Sequence, residues 1–438
     1  MDRAARRRRL HMPGHFGAEP RDGDFLHWAL DLTEVDGLDT LSAPSGVLRD
    51  LQDRFAAAYG AGAAWLSVQG ATLPVMAGSL GWAGYGARVQ IPRHAHRSVL
   101  AAAILGEWDV DWVPNPVDPT FGLPLPPPLG TWPRPQGEVT FRLSVSPTYE
   151  GVLAPVPKDE GVSLFVDAAH GGHFGRSTAL PRHALTDGAD LVAHGLHKTE
   201  PVLTQSGILL ARSAHPDVDR WWRLLGTSSP SYLLLAGLEA YVRARESGDG
   251  GWGAYVQWAH QLWLAAERCG HIVLQAQMEA SGAAVDPSKF TVGGDGPRMQ
   301  RRLRKAGFEP EAVTAGSVTF VLGPALATGD ALIQDILDAL GPPTTPARFA
   351  ALPDVPRKAC SLVTAVRHPR RLVPLAEAAG LVAADPLTPY PPGIPVVMPG
   401  EILEADVLDY VEETLHADAV VEGVEPGERG WSVWVADV

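Results

Sequence analysis

Two stretches of the chain decide its fold: SLFVDAAHG at residues 163–171 and GADLVAHGLHKT at residues 188–199. Each contains a short apolar run, which is typical of a strand buried on both faces of a parallel sheet. The first run ends at Asp167, and the second is followed within a few residues by Lys198. Ligands of open α/β sheets bind beyond the carboxyl ends of the strands, so the pattern predicts an acid and an amine in one crevice.

The combination of Asp167 with Lys198 suits a site for pyridoxal phosphate. A lysine amine in a partly desolvated pocket loses its proton more easily, and it can then condense with the cofactor aldehyde. The carboxylate can keep the pyridine nitrogen protonated, which makes the ring an electron acceptor. The alternative is an ordinary strand-end aspartate with a solvated lysine, so the interpretation depends on the other motifs of the chain.

Length, charge and cysteine content exclude several classes of protein. The 438 residues, 45% of them hydrophobic, favour two or three structural units with a sizeable core. The net charge of −14 argues against a nucleic-acid partner. Two cysteines, Cys269 and Cys360, do not make a disulfide framework and favour a reducing cytoplasm.

The N-terminal arginines at residues 6–9 are not followed by an apolar segment, so we expect no signal peptide. Apolar runs also stay shorter than the roughly 18 residues that a membrane span needs. We therefore expect a cytoplasmic protein without a membrane partner.

Strand and helix patterns alternate along the chain as βαβ units require. After an N-terminal arm at residues 1–44, a first helix is predicted from an N-cap at Ser45 to Gly60. Further strands are predicted at residues 64–68, 88–92, 140–145, 163–166, 190–193, 208–211 and 318–322. Further helices are predicted from residue 99 and at residues 72–82, 233–243, 254–268, 299–306 and 330–340.

These elements predict an α/β large domain with a mainly parallel sheet at residues 45–270. A smaller α+β domain is predicted at residues 271–438. Nine prolines at residues 114–135 predict an extended connector without regular structure.

Two shorter motifs are compatible with cofactor binding. Gly70-Ala71-Thr72 follows a predicted strand, and backbone N–H groups at such a helix start can hold a phosphate. Glycine at a strand-to-helix turn is often required for steric reasons alone. His96 follows another predicted strand and could stack on a planar cofactor or simply form a hydrogen bond.

Taken together, the motifs resemble the Orn/Lys/Arg decarboxylase family, the bacterial fold-type I pyridoxal phosphate enzymes with the aspartate aminotransferase fold. The matching stretches follow one another in family order. They are residues 11–15 (HMPGH), 31–41, 70–72, 96–98, 146–151 (SPTYEG), 167–171 (DAAHG), 197–199 (HKT), 204–205, 227–232 (TSSPSY), 389–395 and 399–401.

The resemblance implies a function for each matched residue. The catalytic residues would be Lys198, which binds the cofactor covalently, Asp167 at the pyridine nitrogen, His197 and His96. His96 would stack on one face of the ring and Ala169 would pack beneath the other. The remaining cofactor contacts would be Gly70, Ala71, Thr72, His170, Thr227 and Ser228.

The resemblance also implies a homodimer with shared active sites, because Thr227 and Ser228 would reach a phosphate of the neighbouring subunit. His15, Tyr149 and Glu401 would lie near the substrate.

The chain departs from the family pattern in several places. The family usually has glutamate at the position of Ala168 and serine at that of Gly195. The proline tract stands where relatives tend to have a helix, and the chain resembles the short form without an N-terminal wing domain.

The leading hypothesis is decarboxylation of lysine, arginine or ornithine, with His197 or Lys198 returning a proton to Cα. Two alternatives remain open: another pyridoxal phosphate reaction such as transamination, and a catalytically silent relative that regulates a true decarboxylase. A zinc site is disfavoured, because no cysteine or carboxylate completes a tetrahedral set beside the histidine pairs. Those pairs are His94/His96, His170/His173 and His194/His197.

Overall fold

The computed structural model describes residues 30–438 apart from 135–138, 327–328, 346–348, 350, 391, 417–418 and 428–429. The α-helices, numbered in chain order, are α1 (Val47–Tyr59), α2 (Thr72–Ala83), α3 (Arg97–Leu105), α4 (Pro216–Leu225), α5 (Tyr232–Glu246), α6 (Trp252–Arg268), α7 (Leu274–Ala280), α8 (Gly296–Lys305), α9 (Asp330–Leu340), α10 (Leu362–Arg367) and α11 (Ala405–His416). Short 3-10 helices lie at Leu129–Thr131, Leu196–Lys198 and Leu375–Glu377.

The strands are likewise numbered in chain order. They are β1 (Ala63–Ser67), β2 (Arg88–Pro92), β3 (Asp109–Val113), β4 (Val117–Asp118), β5 (Leu123–Pro124), β6 (Val139–Val145), β7 (Ser163–Asp167), β8 (Leu191–His194), β9 (Gly207–Ala211), β10 (Ile272–Val273), β11 (Lys289–Gly293), β12 (Ala312–Val313), β13 (Ser317–Val321), β14 (Arg370–Pro374), β15 (Val382–Ala383), β16 (Thr388–Tyr390), β17 (Val420–Glu422), β18 (Val424–Gly427) and β19 (Gly430–Ala436).

The first of two compact units comprises the described residues up to Trp82 and Leu164–Gly253. Its strands lie in the order β1-β9-β8-β7, with β7 and β8 parallel and β9 antiparallel to both of its neighbours. Helix α2 packs closely on these strands, because a side chain at Gly78 would meet Leu209 and Phe165 within about 3.0 Å. The parallel pairing brings the carboxyl ends of β7 and β8 to one edge.

The second unit comprises Ala83–Ser163 and Ala254–Val438. Strands β6-β2-β3 are adjacent, and β2 is parallel to both neighbours. Antiparallel sheets have the orders β10-β11-β13-β12 and β14-β19-β15, and β18 also pairs with β19. A buried apolar cluster that includes Leu403, Val407 and Val433 forms a core among the C-terminal elements.

The α/β class predicted from the sequence is confirmed, since parallel-paired strands alternate with helices along the chain. Helix α9 and strand β2 have the bounds that the sequence predicts. The predicted domain boundaries after residues 44 and 270 stay predictions. Among the residues that the structure describes, no helix combines the length and apolarity that crossing a membrane requires.

The prediction of an irregular proline tract is wrong for part of residues 114–135. Strands β4 and β5 pair as a short antiparallel hairpin. The Asp118 side chain accepts the N–H groups of Thr120 and Phe121, both at 2.9 Å, and Gly122 has φ +64°. An aspartate and a glycine suited to a tight turn, with a fully buried Phe121 as anchor, outweigh the surrounding prolines.

The predicted N-cap of α1 is also wrong. The helix begins after Gly46, and the carboxylate of Asp39 accepts the backbone N–H groups of Ser45, Gly46 and Leu48 at 2.6–3.2 Å. Burial raises the pKa of Asp39, but these backbone N–H groups together lower it by more, so the net shift is downward. The capping acid comes from upstream of the position that the local pattern indicates.

Candidate active site

Asp167 and Lys198 lie at the ends of adjacent parallel strands. Asp167 is the last residue of β7, is 4% exposed, and pairs in register with Ala193 of β8. Lys198 closes the 3-10 turn that follows β8, and its Nζ lies 3.0 Å from Nε2 of His170. The structure therefore brings the predicted acid, the predicted lysine and His170 to one edge of the first unit.

Backbone hydrogen bonds fix the loops that carry these side chains. The N–H of Ala168 donates to the carbonyl of Ala193 at 3.0 Å, and the N–H of Gly195 donates to the carbonyl of Ala169 at 3.1 Å. The N–H of Ala169 also donates to Oδ1 of Asp167 at 3.1 Å. The carboxylate is therefore held in a defined orientation on a rigid strand end.

His197 lies beside the turn at Gly70. Its Nδ1 is 3.0 Å from the carbonyl oxygen of Ser206, and a Cβ at Gly70 would lie 3.6 Å from its Cε1. Gly70 has φ +63°, and its N–H donates to the carbonyl of Gln205 at 2.7 Å. The predicted catalytic histidine and the predicted phosphate turn are therefore neighbours within one unit.

The Gly70 turn leads directly into helix α2, which begins at Thr72. The first N–H groups of a helix lack intrahelical partners, so Ala71 and Thr72 can offer donors to an anion. The N–H of Gly70 already donates to Gln205, and the predicted phosphate contact of Gly70 stays a prediction. A Cβ at Gly207 would lie only 2.3 Å from the carbonyl oxygen of Gly70. Glycine at 207 is thus required for β9 to approach the turn.

Thr227 also lies near this turn. The side-chain oxygen of Gln69 accepts the N–H of Thr227 at 2.8 Å, and Oγ1 of Thr227 accepts the N–H of Ser229 at 3.3 Å. Ser228, between them, is exposed. The contact with Gln69 is within one chain, and the predicted contact of Thr227 and Ser228 with a neighbouring subunit stays a prediction.

Two other predicted site residues belong to the second unit. His96 is the exposed N-cap of α3, and its Nδ1 lies 3.2 Å from the N–H of Ser98 and 2.8 Å from Oγ of Ser98. The hydroxyl of Tyr149 donates to Oε1 of Glu311 at 2.5 Å. Burial, and then the Glu311 carboxylate, raise the pKa of Tyr149 above its ordinary range.

Glu401 is engaged by its own unit. Its two carboxylate oxygens accept the guanidinium of Arg93 at 2.7 and 2.8 Å, and the side chains of Arg93 and Glu401 are only 3% and 5% exposed. The N–H of Met398 donates to Oε2 at 2.8 Å. These contacts favour a structural function, and a contact of Glu401 with substrate stays a prediction. His15 lies outside the described residues.

Three histidines of the candidate metal pairs have separate partners in the first unit. His170 contacts Lys198, His197 contacts the Ser206 carbonyl, and Nε2 of His194 contacts Nε2 of His183 at 2.8 Å. Within the described ranges, no group of three or more His, Cys, Asp or Glu residues is arranged to hold a metal ion.

Comparisons with known proteins show what this chain is similar to. A family model for the C-terminal domain of Orn/Lys/Arg decarboxylases matches residues 349–433. The arginine decarboxylases of Bacillus subtilis and Bacillus anthracis are each 29% identical to this chain, over 95% of its length and 92% of theirs. The chain is therefore similar to arginine decarboxylases over nearly its whole length, and residues 349–433 match the C-terminal domain of the Orn/Lys/Arg decarboxylase family.

Solved structures share the fold of this chain. The constitutive lysine decarboxylase of E. coli superposes with a TM-score of 0.82 at 17% identity, over 100% of this chain and 81% of that one. The Francisella novicida lysine decarboxylase has a TM-score of 0.84 at 16% identity, over 99% of this chain and 80% of that one. At these identities the likeness shows the fold alone.

Gly195, one position at which the chain departs from the Orn/Lys/Arg decarboxylase family pattern, lies directly against the site. A Cβ there would be 3.3 Å from the carbonyl oxygen of Ala169 and 3.4 Å from Cδ and Cε of Lys198. Glycine therefore leaves room for the lysine side chain. Ala168, the other position, is buried.

Sequence reasoning missed Gln69 and His183. The position of Gln69 directly before the Gly70 turn was the only feature of the sequence that pointed to it. Its partner Thr227 is 158 residues away, so the contact has no local pattern. His183 lies in a loop without a local pattern, and its partner His194 is 11 residues away.

Proposed function

We propose that this chain is a pyridoxal 5'-phosphate-dependent decarboxylase that converts a basic L-amino acid to the corresponding amine and CO2. The observation that carries the proposal is the position of Lys198 and Asp167 at adjacent strand ends, with His170 beside the lysine amine. Relatives named arginine decarboxylase, aligned over 95% of the chain, support the reaction class and a basic substrate.

The residues present fit pyridoxal phosphate. Lys198 supplies an amine in a half-buried position, and Asp167 supplies a buried carboxylate held by the N–H of Ala169. Ala71 and the start of α2 supply N–H groups, and Gly207 leaves the Gly70 turn without a side chain against it. When bound, the cofactor would supply an electron-accepting ring for the electrons released as CO2 leaves.

Asp167 would hold a proton at the pyridine nitrogen, because a buried carboxylate beside that nitrogen favours the protonated, positively charged form of the ring. Lys198 would attach the cofactor and could afterwards move a proton at Cα of the substrate. His170 would assist, since its Nε2 lies 3.0 Å from the lysine Nζ and can exchange a proton with it.

His197 would be the second proton carrier. Its Nδ1 faces the Ser206 carbonyl, which can only accept, so Nδ1 carries the hydrogen and Nε2 holds the lone pair of the neutral ring. This fixed tautomer leaves Nε2 as the nitrogen that would take up a proton and return it to Cα.

The proposal includes a cytoplasmic homodimer acting on a small-molecule amino acid, with an amine product of polyamine metabolism. The choice among lysine, arginine and ornithine requires an assay. Net charge of −14 favours a cationic substrate but does not select one.

The purified protein should show the visible absorbance of covalently bound cofactor, and Lys198→Ala should abolish it. Lys358→Ala, which removes an exposed lysine paired with Asp109, is the matched control and should retain it. Wild-type protein should release CO2 and an amine from lysine, arginine or ornithine.

Covalent cofactor in Lys198→Ala would refute the lysine assignment. Keto acid formation would identify a transaminase, and cofactor binding without turnover of any amino acid would identify a silent relative.

A further inference from the structure

Two buried histidines, His183 and His194, form a hydrogen-bonded pair in the first unit. His194 is the last residue of β8, four positions before Lys198, and is fully buried. Its Nε2 lies 2.8 Å from Nε2 of His183, and its Nδ1 lies 2.8 Å from the carbonyl oxygen of Ala168. At the other end, the N–H of Leu185 lies 3.4 Å from Nδ1 of His183.

These contacts admit a single proton arrangement. The Ala168 carbonyl can only accept, so Nδ1 of His194 carries a hydrogen and its Nε2 is an acceptor in the neutral ring. Nε2 of His183 must then be the donor, which leaves Nδ1 of His183 as the acceptor for the N–H of Leu185. Every polar ring atom of the pair is satisfied in this arrangement.

An additional proton would break the arrangement. On His194 it would place an N–H against the N–H of His183, and a tautomer change at His183 would place an N–H against that of Leu185. Either case sets two donors face to face inside the protein, which is costly because neither can reach water. The geometry therefore keeps both rings neutral.

The surroundings of the pair reinforce this conclusion. The ring of Tyr59 stacks on His194 and lies at a tilt beside His183, with centroid distances of 5.6 and 5.2 Å. The Arg245 guanidinium lies 3.8 Å from the centre of the Tyr59 ring and donates a hydrogen bond to the hydroxyl of Tyr241.

The pKa values of both rings are shifted in the same direction. Burial lowers the pKa of His194 to about 3, with Arg245 and His173 adding to the shift. Burial lowers the pKa of His183 well below its ordinary range, with His194 and Arg245 adding to it.

We propose that His183 and His194 are positioning residues that hold the loop carrying Asp167 against the loop carrying Lys198. His194 is joined through Gly195 to the turn of Lys198, while its bond to the Ala168 carbonyl fixes the residue next to Asp167. His183 keeps His194 in the tautomer that makes this bond. The effects on turnover and on cofactor affinity rest on the proposed function, which includes pyridoxal phosphate binding, whereas the proton arrangement does not.

The proton arrangement is tested in the apoprotein by nitrogen NMR of labelled histidines. We expect His194 protonated at Nδ1 only and His183 at Nε2 only, with neither ring titrating between about pH 5 and pH 8. Titration of either ring in this range, or the opposite tautomers, would overturn the inference.

The positioning function is tested with His194→Phe, which keeps an aromatic ring beside Tyr59 and removes the donor to Ala168. We expect the affinity of the apoprotein for pyridoxal phosphate to fall about tenfold to a hundredfold, because Asp167 and Lys198 lose their relative placement. His194→Gln, which retains one donor and one acceptor, should recover most of the affinity.

His215→Phe is the matched control, since His215 belongs to the same unit and also lies beside an aromatic ring, that of Trp82. It should leave the cofactor affinity unchanged. A lower melting temperature of His194→Phe with unchanged cofactor affinity would overturn the positioning function. An equal loss of cofactor affinity in His215→Phe would show that the effect is not particular to His194, and it would overturn the positioning function.

If His194→Phe does not fold, the positioning function is tested by comparing His194→Gln with His183→Phe. His194→Gln should retain the affinity for pyridoxal phosphate and His183→Phe should lose it. Equal affinities of the two variants would overturn the inference. Failure of the proposed function would be seen separately in wild-type protein, either as no binding of pyridoxal phosphate or as binding without decarboxylation of any amino acid, and the proton arrangement would still be tested by the NMR experiment.

Discussion

Glu401 and Glu150 each place a carboxylate inside the second unit, in different surroundings. Glu401 is neutralised by Arg93 through two short hydrogen bonds. Oε2 of Glu150 is buried with no hydrogen-bond partner among the described residues, and burial raises the pKa of Glu150 to about 7. Burial has the largest effect on the pKa of Glu150, although the Thr148 hydroxyl and the nearby Lys289 ammonium act in the opposite direction.

Glu401→Gln should lower the free energy of unfolding by about 3–5 kcal/mol, because the charge of Arg93 is then buried without a counter-ion. The double variant Arg93→Met, Glu401→Leu should regain most of this loss, since it replaces the ion pair with apolar side chains. Urea unfolding of the apoprotein measures both. If Glu401 served only to bind substrate, its substitution would raise KM and leave the unfolding curve in place.

Glu150→Gln should stabilise the protein at high pH only. Because the pKa of Glu150 is raised from 4.5 to about 7 on folding, the folded protein holds a proton that the unfolded chain has released between these values. The contribution of Glu150 is therefore fully present below about pH 4.5 and is lost as pH rises through about 7.

The gain from Glu150→Gln should reach up to about 3 kcal/mol at pH 8 and be small at pH 4.5, as measured by thermal unfolding across pH. Glu412→Gln, at an exposed position of α11, is the control and should show no such dependence. An equal gain at both pH values would contradict the assignment to Glu150.

At the scale of elements, the site depends on how closely neighbouring segments approach. Strand β9 begins at Gly207, against the carbonyl of Gly70, and α2 lies on the strands through Gly78. Both approaches require the absence of a side chain, because the nearest atoms are within about 3 Å of the place that a Cβ would take. The turn before α2 therefore has its position set by β9.

Gly207→Ala should displace the Gly70 turn, because the added Cβ would meet a main-chain oxygen that cannot rotate away. We expect a loss of about 1–3 kcal/mol in unfolding free energy and a weaker affinity for pyridoxal phosphate in a titration of the apoprotein. Gly237→Ala in α5, where the nearest atoms are 4.0 Å from the new Cβ, should be neutral or stabilising by about 1 kcal/mol. Unchanged cofactor affinity in Gly207→Ala would exclude the turn from the cofactor site.

At the scale of the whole molecule, the likeness to the arginine decarboxylases extends over 95% of the chain and therefore over both units. The expected homodimer would place Thr227 and Ser228 of one copy at the phosphate site of the other. Thr227 also contacts Gln69 of its own chain, so the two residues could serve either the site of their own chain or that of the partner. These two possibilities predict different activities for dimers that mix two inactive variants.

Lys198→Ala and the double variant Thr227→Ala, Ser228→Ala should each be inactive alone and active when refolded together. In randomly mixed dimers with shared sites, about a quarter of the sites would combine intact residues from both copies. Decarboxylase activity of the mixture measures the recovery, with each variant mixed with itself as the control. No recovery would mean that Thr227 and Ser228 serve the site of their own chain.

The sequence by itself determined the α/β class, most strands and helices, and the two strand ends that carry Asp167 and Lys198. These features follow from apolar periodicity and from residue types within a few positions of each other, so they can be predicted locally. The prediction of no regular structure in the proline tract was wrong, because Asp118 accepts backbone N–H groups of a turn there. The prediction of Ser45 as the N-cap of α1 was wrong, because Asp39 accepts the backbone N–H groups at the start of that helix.

The tertiary structure alone decided which distant polar groups meet. Arg93 and Glu401 are 308 residues apart, and Gln69 and Thr227 are 158 residues apart. His183 lies in a loop, and its partner His194 is the last residue of strand β8. Buried donors and acceptors must find partners once packing has removed water, and those partners come from whichever segment the fold brings near. Periodicity along the chain carries no information about that choice.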